Sequence, residues 1–314
     1  MEIKNEEHPL KIRSVRACVS AGSRLYLGNF RRIFRTTWFP ALLCALVGAF
    51  YTQTMISTLT RLLATPTQMV QGAAGTELMQ YLVLSGVSLL YAVVLLVFFS
   101  YGFSMLSYHR TEGAIPYPVR WLSRPDGRML LRTIAVAMVW FVVEIVVYLI
   151  GGTIITFGAV RQSLTTIAVG LLVLLVMAAL LLPLVYPSMH YLSTRDTRLF
   201  DLLGKGYCLG LKRWGFIFAV LFVVLIILSL ILCITMLPAI ILSSAGIKAE
   251  AGVLIGDPLG MPSYMGWMSF LVYALSGFIQ CYVILSMLFP AYYMAGAIEQ
   301  QEIQRNEKTK NTLY

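Results

Sequence analysis

Six long stretches without charge dominate this chain and leave room for little except membrane-spanning helices. No Asp, Glu, Lys or Arg falls between Arg35 and Arg61, Glu77 and Arg110, Arg161 and Arg195, Arg213 and Lys248, or Asp257 and Glu299. The stretch from Arg132 to Arg161 carries a single charge, Glu144. Each stretch exceeds the ~20 apolar residues that carry a helix across a bilayer core. In lipid every backbone N–H and C=O must be satisfied within the protein, and a helix does this locally. The expected fold is therefore all-α, with six transmembrane helices at about 38–60, 79–108, 129–158, 163–191, 215–243 and 265–297.

Only 12% of the 314 residues are charged, about half the ~25% of a soluble domain. The chain reads as one integral membrane domain, 1–314, with a basic N-terminal segment at 1–35 and a polar tail at 298–314 expected to fray. No loop approaches the ~50 residues of a separate domain. Any activity must sit within the bundle or at its rim.

A net charge of +10 would suggest nucleic acid in a soluble protein. Here its placement points to the membrane instead. Eight Lys and Arg precede the first span, five lie in or beside the second loop, five in the fourth and three in the tail. The opposite side holds only Arg61, Arg161 and Lys248. Positive residues stay on the cytoplasmic side, so the expected location is the bacterial cytoplasmic (inner) membrane, multi-pass, with both termini cytoplasmic. No cleavable signal peptide is expected in the charged first 35 residues. The expected partners are anionic lipid headgroups at the cytoplasmic face and a membrane protein, not nucleic acid.

Two segments that precede spans combine apolar stripes with basic residues. In Ser14–Phe34, Val15, Cys18, Val19, Gly22, Leu25, Tyr26, Phe30, Ile33 and Phe34 recur at helical spacing, with Arg16, Ser20, Arg24, Arg31 and Arg35 on other sides. In Asp201–Trp214, Leu202, Leu203, Tyr207, Leu211 and Trp214 fall on one side, with Lys205, Lys212 and Arg213 elsewhere. Both are expected to be amphipathic helices lying in the cytoplasmic interface. Arg24, Arg31, Arg32, Arg35, Lys212 and Arg213 are the candidate headgroup contacts. At a fixed offset Gly22 falls on Gly204, Gly28 on Gly210, Arg31 on Arg213 and Phe34 on Phe216. The alignment implies a parallel internal repeat of an amphipathic helix followed by a helical hairpin.

Ala21–Phe34 (AGSRLYLGNFRRIF) and Gly204–Phe216 (GKGYCLGLKRWGF) carry a resemblance to six-span bacterial inner-membrane proteins. That group includes the membrane domain attached to some glycerophosphodiester phosphodiesterases. The resemblance implies a membrane architecture; the soluble catalytic domain of those fusions has no counterpart in these residues.

Glu144 is the sharpest chemical feature. It lies 12 residues past Arg132, or ~18 Å along a helix, near mid-membrane. A carboxylate there costs ~2.5–3.5 kcal/mol and normally faces the bundle interior or water. It is expected to point inward, with Gln280 as its candidate partner. His109 and His190 both fall at cytoplasmic span ends and are expected to be solvated. Five scattered cysteines and three histidines supply no metal-ligand spacing, and no nucleotide, metalloprotease or hydrolase motif occurs. No catalytic residue, metal or cofactor is therefore nominated. The leading expectation is a non-enzymatic, lipid-contacting scaffold or accessory subunit. A small transporter or permease with a site near Glu144 is second, and a membrane-embedded enzyme, which would need polar groups clustered at His109 and His190, is third. Kinks are expected in span four at Pro183 and Pro187.

Overall fold

The computed structural model describes residues 9–64, 74–115, 127–194, 202–255, 262 and 264–312. Those residues form helices and connecting turns, with no strand among them. The proline-rich connection at 116–126 lies outside the described residues. So do Lys4, His8, Arg195, Arg198, Asp201 and the loop positions 65–73 and 256–261.

The chain begins its helices with α1, Val15–Gly28, whose N-cap Ser14 is extended and accepts a hydrogen bond from Ala17 N at 3.4 Å. Such a cap satisfies one of the amides left orphaned at a helix start. Asn29 interrupts the helix, and its side chain donates back to Leu25 O at 3.0 Å. α2, Phe30–Ala64, follows, then α3, Ala74–Glu112, and α4, Gly127–Val147. A π-helical turn at Tyr148–Gly152 joins α4 to α5, Thr153–Val160. After a three-residue turn, α6 spans Leu164–Leu181, a 3-10 turn Leu182–Leu184, and α7 Val185–Ser193. A π-helical turn at Leu202–Gly206 leads into α8, Tyr207–Lys212. α9, Trp214–Ile255, and α10, Met265–Thr312, complete the chain.

Among the described residues, six stretches of helix are long and apolar enough to cross a membrane: Phe30–Thr58, Met79–Glu112, Gly127–Val160, Leu164–Ser193, Trp214–Ala249 and Met265–Asn311. This is the all-α architecture of a multi-pass membrane protein. Pro183 falls in the expected break of span four, where its missing N–H interrupts the ladder and α6 gives way to the 3-10 turn.

Three boundaries differ from the sequence expectation. The pre-span helix ends at Gly28, not Phe34, so Arg31, Arg32 and Arg35 belong to the first turns of α2. α9 continues to Ile255 instead of stopping near Ser243. The tail does not fray at 298, because α10 runs unbroken to Thr312. Glu, Gln, Lys and Arg dominate that tail and no Gly or Pro interrupts it, so local propensity carries the helix into water.

The chain divides into two compact units: 1–33, 100–225 and 286–314 form the first, 34–99 and 226–285 the second. In the second, Ala49, Ala239 and Tyr273 form a core, Tyr51 stacks on Tyr91 at 5.5 Å, and Phe34 stacks on Tyr282 at 5.4 Å. Only Arg35, Arg61 and Lys248 of the 24 Lys and Arg fall in this unit. Nearly all the basic chemistry therefore belongs to the first.

Candidate functional site

The first unit holds its polar chemistry on the second half of α10, where α1, α3 and α7 meet it. Four side chains of α1, Cys18, Gly22, Leu25 and Tyr26, are buried. They recur three or four residues apart, so they form one stripe. Tyr26 meets Phe289 edge to face at 5.1 Å. Gly22 lies against the α10 backbone so closely that a Cβ there would stand 2.7 Å from Pro290 Cα. Only glycine fits this approach. The buried stripe of α1 thus packs on protein, where the sequence reading placed it on lipid.

The rest of the α1 surface carries the cations. Arg16, Ser20 and Arg24 follow one another at four-residue spacing, and Arg24 Nη2 donates to Ser20 Oγ at 3.2 Å. With Lys11, Arg13 and Tyr293 they line a groove of about 570 Å³. Arg13 is buried: Nη1 donates to Pro9 O at 3.1 Å and the guanidinium lies 4.7 Å over the Tyr293 ring. It forms the floor, while Lys11, Arg16 and Arg24 are exposed at the rim. Among the described residues none of those three is ion-paired with an acid. A second groove, of about 560 Å³, is lined by Ile12, Arg213, Gln301, Gln304, Arg305 and Lys308.

The same unit holds an ion-paired knot. Arg110 Nη2 donates to both oxygens of Glu299 at 2.7 and 2.8 Å, and Nη1 donates to Ser193 Oγ at 3.2 Å. His190 Nδ1 lies 3.2 Å from Glu299 Oε2, off the line of a good hydrogen bond. α10 has 48 residues, ~72 Å of helix, so its polar end, from Glu299 onward, extends beyond a bilayer core of ~30 Å. Burial pushes the Glu299 carboxyl up, but the His190 ring and the Arg110 guanidinium outweigh it and hold it below the usual carboxylate range. His109 Nδ1 meets Tyr292 Oη at 3.2 Å. Arg132 donates to Tyr191 O at 3.1 Å and to Thr194 O, its guanidinium 4.4 Å over the Tyr191 ring.

The expectation of solvated histidines is not met, since His109 is 1% exposed and His190 is largely buried. Chemically the knot is a clamp. The Ser193 hydroxyl donates to the His190 carbonyl at 3.2 Å, not to its ring, so the imidazole does not activate it as a nucleophile. Glu299 accepts from Arg110 through both of its oxygens. Among the described residues no three His, Cys, Asp or Glu are grouped so as to hold a metal ion.

Of the candidate headgroup contacts, Arg24 lines the first groove and Arg213 the second. Arg31, Arg32, Arg35 and Lys212 are exposed but line neither. Lys11, Arg13 and Arg16 were not nominated from the sequence; the four-residue spacing of Arg16, Ser20 and Arg24 is the signal that points to Arg16, whereas Lys11 and Arg13 precede the helix and no such spacing marks them. Glu144 belongs to the first unit and Gln280 to the second. Gln280 is half-buried, whereas Glu144 is exposed on α4, not turned inward as expected.

The chain matches no protein-family model, no curated protein and no solved structure.

Proposed function

We propose that this protein is a multi-pass protein of the bacterial inner membrane, both termini cytoplasmic, that acts as a lipid-contacting scaffold or accessory subunit. The observation that carries the reading is the α1 groove, where the exposed Lys11, Arg16 and Arg24 stand around the buried Arg13 and Tyr293, and none of those three is paired with an acid among the described residues. Each well-placed cation near an anionic leaflet is worth ~1 kcal/mol. The charge bias along the sequence and the resemblance to six-span inner-membrane proteins support the same placement. The Arg110–Glu299 clamp ties α3 to the same half of α10 that supplies Tyr293 to the groove. The exposed position of Glu144 gives no support to a permease pathway through the bundle.

Native mass spectrometry of the detergent-purified protein tests this reading. The wild type is expected to retain anionic over zwitterionic phospholipid, and Arg16→Gln with Arg24→Gln to lose that preference. Equal retention of both lipid classes by the wild type contradicts the proposal.

A further inference from the structure

We propose that the exposed face of α4 beside Glu144 docks a transmembrane helix of another membrane protein, one that presents a cationic side chain at mid-membrane depth. The inference is independent of the lipid groove. Leu131, Ile134, Met138, Phe141, Ile145 and Tyr148 are all exposed, at alternating three- and four-residue spacing. Val142, Val146, Leu149 and Ile150 are exposed as well, so the helix around Glu144 is open on most sides to a packing partner. Glu144 lies among these side chains, next to Ile145 and one turn before Tyr148.

Depth and anchorage both matter. Arg132 is tied to the carbonyls of Tyr191 and Thr194, and Trp140 Nε1 donates to Ser188 Oγ at 3.2 Å. These bonds fix α4 against α7, so Glu144 cannot reach an interface by sliding the helix. It sits ~18 Å of helix beyond Arg132, where lipid offers no hydrogen-bond donor. Intramembrane acids pair with another group or line a watery cavity. Glu144 is exposed and flanked by exposed Val142, Ile145 and Val146, which is not the lining of a watery cavity.

Charge complementarity chooses the occupant. The uncharged runs of this chain contain no Lys or Arg, so a second copy offers this face no cation. A Lys or Arg on a foreign helix completes an ion pair and fixes its register.

The test uses the full chain in phosphatidylcholine vesicles, donor-labelled at the exposed Cys208 in a Cys233→Ser background. The probes are acceptor-labelled Leu/Ala transmembrane peptides with either one central Lys or Leu in its place. Energy transfer is expected to reach half-saturation at an about tenfold lower mole fraction of the Lys peptide. Glu144→Leu should remove the difference, with unchanged elution and melting showing that the variant folds. Equal binding of both peptides overturns the proposal. So does Glu144-dependent energy transfer between two labelled copies of the protein without peptide, which assigns the face to self-association.

Discussion

Arg110 and Glu299, 189 residues apart, meet with one guanidinium nitrogen 2.7 Å from one carboxylate oxygen and 2.8 Å from the other. Their side chains keep only 12% and 19% exposure, so removing either partner leaves a largely buried, uncompensated charge. Arg110→Ala or Glu299→Ala should each cost roughly 3 kcal/mol, the low end for a broken buried pair. Replacing both by Met and Leu should cost less than either single change. Unfolding in detergent, followed by circular dichroism, checks the order.

The same pair sets an acid limit. Glu299 has a folded-state pKa below its ordinary value of 4.5. Its stabilisation is complete above that ordinary value and is lost as pH falls through the lower folded one. Melting temperature should therefore be insensitive to Glu299 from neutral pH down to about 5 and fall below it. In Glu299→Gln the acid limb attributable to this group should disappear; an unchanged acid limb counts against the ion pair as its source.

Glycine positions separate close packing from open surface. Gly22→Ala places a methyl against Pro290, whose backbone cannot yield as a flexible side chain would, and should cost about 1–3 kcal/mol. Gly28→Ala meets nothing within 4 Å and should stay within about 0.5 kcal/mol of wild type. Thermal melts of the two variants side by side provide the comparison.

How much of this was legible beforehand follows from what each signal encodes. The six spans are written in the absence of charge, which lipid enforces directly; Pro183 marks a break, whereas Pro187, expected to kink the same span, lies inside α7, and Pro40, Pro238 and Pro290 lie inside continuous helices. The ends of α9 and α10 were not legible from the same rule, since Lys248 and Glu299 end the apolar run without ending the helix. The orientation of Glu144 was misjudged because periodicity is uninformative when nearly every neighbour is apolar. The repeat alignment set Gly28 on Gly210, yet in the structure it is Gly22 that crowds Pro290 while Gly210 crowds Pro183. Similar residues in register therefore do not make equivalent contacts here. The clamp joins α3, α7 and α10, and no local pattern announces a pairing across 189 residues.

Thiol reactivity should sort by burial. Cys18 is 0% exposed, and burial pushes its thiol up to about 11 despite the nearby Arg13. Cys208 is exposed. At pH 8 a water-soluble maleimide should modify Cys208 promptly and leave Cys18 intact until the protein is denatured, because the thiolate is the reactive form. Prompt modification of Cys18 in the folded protein contradicts the packing of α1 on α10. Peptide mapping after timed quenching reads the outcome.

The most direct measurement of the lipid-contacting role is photo-crosslinking in native membranes from position 20, between Arg16 and Arg24 on the α1 groove. A photoreactive residue replacing Ser20 should form adducts with anionic phospholipid, and the yield should fall when Arg16 and Arg24 are changed to Gln. Adducts confined to protein or water, with no lipid captured in the wild-type background, contradict the account.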